Sequence, residues 1–176
     1  LNYFKTVGEK FKFCFITVHV NLILKTLHYM NLAVIGSGGR EHAICHTLNK
    51  SKKVDKIYCF PGNAGTSLIA KNMNLELDNF EKLKDFILEK EINLIIVGPE
   101  QPLVDGITDY LEKFKIKVFG PNKIASQLEG SKIFTKNICK KYNIPTANFG
   151  VCKYQTDSNK FLEKSNPPIV IKADNL

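Results

Sequence analysis

The feature that most constrains this chain is an apolar run that leads directly into a glycine-rich turn. Residues 31–35 read Asn-Leu-Ala-Val-Ile, and residues 36–39 read Gly-Ser-Gly-Gly. A mixture of polar and apolar residues typical of a helix follows at 40–50, and a second apolar segment covers 56–60. This order predicts a strand, a glycine turn, a helix and a second strand, which together form one βαβ unit with parallel strands.

The alternation of strands and helices continues beyond this first unit. A helix that Asp78 or Asn79 can cap is predicted next, followed by an apolar strand at 92–97, a helix at 103–114 and a strand at 117–119. The apolar stripe of the first of these helices consists of Phe80, Leu83, Phe86 and Ile87. Since strands and helices alternate, the sequence predicts an α/β fold with a Rossmann-like parallel sheet.

Three of the predicted strands end in the same kind of turn. Glycine and proline follow the strand at 60–62, at 97–99 and at 119–121, and both residues interrupt a strand. In an open parallel sheet all such turns lie at one edge, where ligands bind. Together with the glycine turn at 36–39, they predict a cleft built from four loops.

The organisation changes after the last of these turns. Helices are predicted at 124–128 and 131–142, and the remainder offers a strand, a short helix and a second strand at 169–172. We therefore divide the chain into three parts, which are a leader at 1–29 that is disordered or not native, an N-terminal substrate-binding α/β domain at 30–130, and an incomplete segment at 131–176. The leader is too short and too polar to span a bilayer. A signal or transit peptide is the alternative, but the cleavage site of the first and the Arg/Ser richness of the second are missing, so we favour an upstream translated leader before Met30.

The composition indicates which kinds of partner the protein binds and in which cell compartment it works. The formal net charge is +8, but the lysines are scattered among acidic residues and form no single-sign block, so neither nucleic acid nor a membrane is predicted as a partner. The five cysteines are widely spaced and form no Cys-x-x-Cys pair, which indicates reduced cytosolic thiols. His42 and His46 have a spacing that can bind metal, but no further ligands complete a set.

The glycine turn predicts an anion site. Its backbone N–H groups and the positive end of the helix that follows can receive a phosphate. Arg40 is the only arginine in the chain, and its forked guanidinium suits phosphate or carboxylate, although a surface arginine is the alternative. A dinucleotide site would need a glycine at Glu41 and an acidic residue at the end of the second strand, and both are absent.

Other loops and two lysines complete the set of candidate residues. The loop at 61–66, Pro-Gly-Asn-Ala-Gly-Thr, resembles a polar hairpin and can form hydrogen bonds with a small ligand. Glu100 can bind an amine or a ribose hydroxyl, or it can cap the helix that follows. Lys132 and Lys172 are candidates for a phosphate or a carboxylate, with a structural salt bridge as the alternative, because Lys172 ends a predicted buried strand.

Taken in order, these segments resemble one family, the phosphoribosylamine-glycine ligases. The matching segments are 34–42, 61–66, 97–100 with 102–103, 119–121, 128–132 with 134–136, 144–146 and 169–174. The resemblance runs from Met30 to Leu176 and covers about the first third of a family member. It implies a domain of the kind that precedes an ATP-grasp domain, followed by the truncated start of the ATP-grasp domain itself.

The resemblance also implies a reaction and a set of ligands. The family uses ATP and Mg²⁺ or Mn²⁺ to join glycine to 5-phosphoribosylamine through a glycyl phosphate, in de novo purine biosynthesis. It implies that phosphoribosylamine is held by Gly38, Gly39, Arg40, Glu41, Asn63, Gly65 and Glu100. It implies ATP phosphate contacts for Lys132 and Lys172, no catalytic residue and no metal ligand in this part of the protein, and a cytoplasmic monomer.

One departure from the family pattern and two alternatives remain. The family continues after residue 174 with a glycine-rich phosphate loop, whereas this chain has Asn175 and Leu176, so we expect no ATP hydrolysis by the chain alone. Glycine-stimulated, metal-dependent ADP release would contradict that expectation. The alternatives are another purine-pathway ATP-grasp enzyme and a nucleotide-binding module without catalytic activity.

Overall fold

The computed structural model describes residues 29–75, 77 and 79–174. The predicted leader at 1–29 lies outside the described residues except for Tyr29, as do Asp78, Asn175 and Leu176. The strands are β1 (Met30–Gly36), β2 (Val54–Pro61), β3 (Lys71–Asn72), β4 (Ile92–Val97) and β5 (Val118–Phe119). The helices are α1 (Gly39–Leu48), α2 (Phe80–Glu89), α3 (Glu100–Asp105), α4 (Ile107–Glu112), α5 (Lys123–Gly130), α6 (Lys132–Lys141) and α7 (Gln155–Glu163).

The five strands form one parallel sheet in the order β3-β2-β1-β4-β5. The predicted Rossmann-like α/β fold is therefore confirmed. β1 lies at the centre, pairs with β2 on one side and with β4 on the other, and so marks the point where the strand order reverses. Ligands of open α/β sheets bind at the carboxyl ends of the strands at this point.

Both faces of the sheet are covered because alternate residues of each central strand point to opposite sides. Val34 and Cys59 pack with Cys45 of α1 on one face. Ile35 and Phe60 pack on the other face, in a larger cluster that includes side chains from α2, α3 and α4. These apolar layers hold the strands in register, so that the loops at their carboxyl ends have fixed relative positions.

The helix α2 follows the sequence prediction closely. Asn79 is its N-cap, and the side-chain oxygen accepts hydrogen bonds from the N–H groups of Glu81 and Lys82. Leu83 and Ile87 of the predicted stripe are buried in the larger cluster. Capping and helical periodicity are local properties, which is why the sequence was sufficient here.

The prediction of a single helix at 103–114 is wrong. The structure contains two short helices, α3 and α4, which meet at Gly106. Gly106 has a φ of 100° and serves as the C-cap of α3, with its N–H donating to carbonyls of the preceding turn. Glycine ends helices in this left-handed conformation without the steric cost that a side chain would add.

The prediction of strands after residue 143 is also wrong. Between 143 and 174 the structure contains α7 but no strand. Val170 and Ile171, in the predicted strand at 169–172, are 75% and 86% exposed. A strand needs a hydrogen-bonded neighbour, and no described residue provides one for this segment. The predicted boundary at residue 130 stays a prediction.

Candidate functional site

The glycine turn is open to solvent at the carboxyl end of β1. Ser37, Gly38, Gly39 and Arg40 are all exposed, and the Arg40 side chain keeps 61% of its surface accessible. Gly38 is the N-cap of α1, and a side chain added at Gly39 would have no neighbour within 4 Å. The N–H groups of a first helical turn lack partners within the helix. The turn is therefore open to an anion, and the anion site itself stays a prediction.

Glu41 lies beneath this turn and holds it in shape. It is 4% exposed, and its Oε2 accepts a hydrogen bond of 2.7 Å from the N–H of Gly38. Its Oε1 accepts a hydrogen bond of 2.8 Å from Nε of Arg40. A glutamate at the third helical position that reaches back to the N-cap is a capping-box contact. The carboxylate thus stabilises the backbone of the turn from below.

The charges around this pair favour their ionised forms. Burial alone would raise the pKa of Glu41, but the hydrogen bonds from Arg40 and from the Gly38 backbone lower it below its ordinary value. The pKa of Arg40 is raised by its hydrogen bond to Glu41, against a smaller effect of burial, and also by the charges of Glu41 and Glu100. Arg40 therefore stays a cation at the mouth of the cleft.

The loop after β2 is tied directly to the glycine turn. Nδ2 of Asn63 donates hydrogen bonds to the carbonyl oxygens of Ser37 at 2.8 Å and Gly38 at 3.1 Å. Oδ1 of the same amide accepts from the N–H groups of Gly65 and Thr66. One side chain therefore links the two loops, although they are about 25 residues apart in the chain.

A second layer of hydrogen bonds supports the Asn63 loop. The buried hydroxyl of Thr66 accepts from the N–H of Asn63 at 2.7 Å and donates to Oδ1 of Asn72 at 2.8 Å. Nδ2 of Asn72 donates to the carbonyl of Asn63 at 2.8 Å. The loop leads into a short 3-10 turn at Thr66–Leu68, so the predicted hairpin-like shape is wrong. Gly62, with a φ of 76°, makes the bend that brings these groups together.

The loop after β4 meets the same turn from the other side. The N–H of Gly98 donates to the carbonyl of Ile35 at 3.0 Å, and a Cβ built on Gly98 would lie 2.7 Å from the carboxyl carbon of Glu41. Glu100 is the first residue of α3 and is partly buried. The charge of Glu100 also raises the pKa of Arg40, and Gly98 packs against Glu41, so the loop after β4 lies beside the glycine turn.

Seven of the nine candidate residues thus gather at one edge of the sheet. They are Gly38, Gly39, Arg40, Glu41, Asn63, Gly65 and Glu100. The contacts described above bring these residues together. No contact tests the predicted ligand, so the assignment of the seven residues to phosphoribosylamine stays a prediction.

The two candidate lysines lie next to a different contact, which joins Asp174 to the start of α6. Lys132 is the first residue of α6 and is exposed, and Lys172 is exposed in a segment that is not a strand. The carboxylate of Asp174 accepts hydrogen bonds from the Ser131 hydroxyl at 3.1 Å and from the N–H of Ile133 at 3.0 Å. The segment that carries Lys172 therefore lies against the start of α6. The predicted ATP contacts of both lysines stay predictions.

The structure shows roles in the site that the sequence did not predict, and it adds Asn72 to the residues of the predicted loops. Thr66 and Asn72 support the Asn63 loop, Gly98 leaves room for Glu41, and the backbone of Gly65 lies against His42, where a Cβ would be 2.6 Å from the imidazole. No local pattern identifies these residues, because each acts through a neighbour from another part of the chain. For Asn72 the available signal was its position only nine residues after Asn63, a second polar amide close to the predicted loop.

The described residues contain neither a metal-binding cluster nor a membrane-spanning helix. Among residues 29–75, 77 and 79–174, no group of three or more His, Cys, Asp or Glu side chains could hold a metal ion. In the same part of the chain, every helix is too short or too polar to cross a membrane.

The fold first defines a broad structural class, the open parallel α/β sheet with helices on both faces. A solved structure that shares it is the biotin carboxylase domain of 2-oxoglutarate carboxylase from Hydrogenobacter thermophilus, determined with Mg-ADP, ADP and bicarbonate. The TM-score is 0.59 and the identity 19%, over 80% of this chain and 34% of that chain. At this identity the likeness concerns the fold alone.

Sequence comparison then gives the family. Residues 30–129 match the family described as phosphoribosylglycinamide synthetase, N domain. A curated relative, the phosphoribosylamine-glycine ligase of Caldanaerobacter subterraneus subsp. tengcongensis, is 50% identical over 84% of this chain and 35% of its own length. The chain belongs to the phosphoribosylglycinamide synthetase, N domain family, which confirms the resemblance seen in the sequence.

A solved structure agrees with this assignment. The phosphoribosylamine-glycine ligase of Thermotoga maritima has a TM-score of 0.64 and 33% identity, over 84% of this chain and 34% of that chain. The chain thus spans about a third of the length of the relatives it matches.

Proposed function

We propose that this chain forms the phosphoribosylamine-binding part of an ATP-dependent ligase. The enzyme joins glycine to 5-phosphoribosylamine and gives glycinamide ribonucleotide in de novo purine biosynthesis. The observation that carries the proposal is an open glycine turn, with Arg40 at its mouth, that is tied to the Asn63 loop and faces Glu100. The identity of 50% to a phosphoribosylamine-glycine ligase supports the same reaction.

The phosphate of the substrate binds at the glycine turn. The N–H groups of Gly39 and Arg40 and the guanidinium of Arg40 donate to its oxygens, and Gly38 allows a close approach of the backbone. Glu41 acts as a positioning residue, because its carboxylate already accepts hydrogen bonds from Gly38 and Arg40. The open space above Gly39 leaves room for the phosphate.

The sugar and the amine occupy the space between the other two loops. Asn63 and Gly65 form the wall on the β2 side, with Asn63 fixing the distance between that wall and the glycine turn. Glu100 lies on the β4 side, where its carboxylate accepts a hydrogen bond from the amine or from a ribose hydroxyl. The reacting nitrogen would thus be held at the carboxyl edge of the central strands.

ATP, glycine and a divalent metal are the remaining ligands of the proposed enzyme. ATP supplies the energy for forming the carbon–nitrogen bond, and Lys132 and Lys172 contact its phosphates. Mg²⁺ or Mn²⁺ accompanies ATP, but the described residues contain no cluster that fits a metal, so we assign it no ligand here. The protein acts as a monomer in the cytoplasm.

Calorimetry with glycinamide ribonucleotide tests the proposal. The full chain should bind this product, and AMP and NAD should bind at least about tenfold more weakly, because they carry an aromatic ring on the sugar where the product has the amide N–H that can donate to Glu100. Arg40→Ala should weaken binding about tenfold or more, since it removes a charge-assisted contact to phosphate.

Lys117→Ala is the matched control. It also removes one positive charge, but from the opposite end of the sheet, before β5, and should leave binding unchanged. Equal binding of AMP and the ribonucleotide would favour a general nucleotide-binding module. Equal effects of the two substitutions would show that the phosphate does not bind at the glycine turn.

A further inference from the structure

The helix that follows the glycine turn carries two histidines in different surroundings. His42 is the fourth residue of α1, and its N–H donates to the carbonyl of Gly38 at 3.1 Å. Its side chain is half-buried, whereas His46, one turn further along the same helix, is exposed. The ligand contacts proposed above give neither histidine a role, so the burial of His42 needs another explanation.

The imidazole of His42 packs against the backbone of Gly65 in the Asn63 loop. A Cβ built on Gly65 would lie 2.6 Å from Cε1, 2.7 Å from Nδ1 and 3.0 Å from Nε2 of this ring. Carbon atoms that are not bonded to each other pack best at about 3.5–4.0 Å. The ring therefore occupies the space that a side chain at position 65 would need.

The backbone conformation of Gly65 does not itself require glycine. Its φ of −71° and ψ of −42° are ordinary helical values, which residues with a side chain adopt freely. Gly36, Gly62 and Gly106 differ in this respect, because their φ values are positive. Glycine at position 65 is therefore explained by the contact with His42 or by the close approach of a ligand, and these two reasons predict different experimental results.

The contact lies next to the hydrogen bonds that join the Asn63 loop to the glycine turn. The N–H groups of Gly65 and Thr66 donate to Oδ1 of Asn63 at 2.8 Å and 3.0 Å. Nδ2 of the same side chain donates to two carbonyl oxygens of the glycine turn. Since His42 belongs to the helix that begins at this turn, its ring and the Asn63 amide connect the same two segments.

We propose that His42 is a positioning residue of the phosphoribosylamine site, which holds the Asn63 loop against the glycine turn through the packing of its ring on Gly65. The identity of the ligand rests on the proposed function, whereas the contact between ring and loop does not. Without the ring, the hydrogen bonds of Asn63 alone hold the loop. The wall on the β2 side then loses its fixed distance from the phosphate-binding turn.

Melting temperatures of the ligand-free chain test the contact through a double-mutant cycle. With His42 present, Gly65→Ala should lower the melting temperature by about 3 °C or more, because the added methyl group meets the ring. In a His42→Ala background the same substitution should have no such cost, since alanine suits helical φ and ψ better than glycine does. An equal effect of Gly65→Ala in both backgrounds, or no effect in either, overturns the proposal.

Amide hydrogen exchange separates an effect on the loop from a general loss of stability. In His42→Ala the N–H of Thr66 should exchange about tenfold faster or more. The N–H of Ala125, which donates to the side chain of Asn122 in another helix cap, should keep its rate. His46→Ala is the matched control, because it removes the same kind of side chain from an exposed position of α1, and it should change neither rate. Equal acceleration at Thr66 and Ala125 would contradict a positioning role.

Calorimetry with glycinamide ribonucleotide connects the contact to the ligand. His42→Ala should weaken binding about tenfold, because binding must then also order the loop, and His46→Ala should leave binding unchanged. Binding of His42→Ala with the affinity of the wild type would overturn the positioning role. If the wild-type chain does not bind the ribonucleotide, the proposed function fails, and the melting and exchange comparisons still decide whether His42 positions the loop.

Discussion

Nδ2 of Asn63 lies 2.8 Å from the carbonyl oxygen of Ser37, so the loop after the second strand is fastened to the turn after the first. The same amide group donates to the carbonyl of Gly38 and accepts from two backbone N–H groups of its own loop. Its orientation is therefore fully determined by its neighbours. This side chain therefore helps to set the distance between the two loops.

Asn63→Asp is the sharpest test of this link. Aspartate keeps an oxygen for the N–H groups of Gly65 and Thr66 but replaces the donor with a second oxygen facing two carbonyls. We expect the free energy of unfolding to fall by about 1–3 kcal/mol. Urea denaturation measures this change.

The control for that substitution is Asn122→Asp. Asn122 is the N-cap of α5, and its side-chain oxygen accepts from the N–H of Ala125. Aspartate caps helices as well as asparagine does, so stability should stay within about 0.5 kcal/mol of the wild type. Equal losses in the two variants would mean that Asn63 does not act as a donor between the loops.

The same change to alanine should affect stability differently at Gly98 and at Gly39. A Cβ at Gly98 would lie 2.7 Å from the carboxyl carbon of Glu41, whereas a Cβ at Gly39 would have no neighbour within 4 Å. Gly98→Ala should cost about 1–3 kcal/mol, because the buried carboxylate cannot move away without losing its partners. Gly39→Ala should leave thermal stability unchanged or slightly higher. Similar melting temperatures for both would contradict the close packing of Glu41 under the β4 loop.

The local parts of the fold could be read from the sequence. The strand at 92–97 was predicted with its observed limits, since its apolar run has a clear beginning and end. The turn at 36–39 was recognised because its glycines follow a strand and precede a helix. Both features depend on neighbouring residues only.

The other parts depend on contacts between distant residues. The strand predicted at 169–172 failed because periodicity does not reveal whether a pairing partner exists. The burial of Glu41 among Gly36, Gly38 and Gly98 was not predicted, because the family resemblance implied only a substrate contact for this residue. Its partners include a loop nearly sixty residues away in the sequence, which no local pattern indicates.

Gly106 explains the break between α3 and α4 and can be tested separately from the site. Its φ of 100° is unfavourable for residues with a side chain, and a Cβ would lie 3.3 Å from Cδ of Lys123. Gly106→Ala should lower the free energy of unfolding by about 1–2 kcal/mol. Gly106→Asn should cost less, because asparagine tolerates the left-handed region. If alanine were the better tolerated of the two, backbone conformation would not be the reason for glycine here.

The lowered pKa of Glu41 predicts how stability depends on pH. A carboxyl group whose pKa is lower in the folded than in the unfolded chain contributes stability above its unfolded pKa of about 4.3 and loses it as pH falls through the folded value. Glu41→Gln should therefore be less stable than the wild type by about 1.5–3 kcal/mol at neutral pH, and the gap should narrow as the solution is acidified below the unfolded value. Urea denaturation of both proteins across this pH range measures the gap.

Glu112→Gln is the control for this prediction, because it removes an exposed carboxylate that takes no part in the Arg40 contact. Its stability should differ little from that of the wild type. A constant gap between wild type and Glu41→Gln from neutral to acidic pH would mean that Glu41 is held by packing and not by the hydrogen bonds of its ionised form.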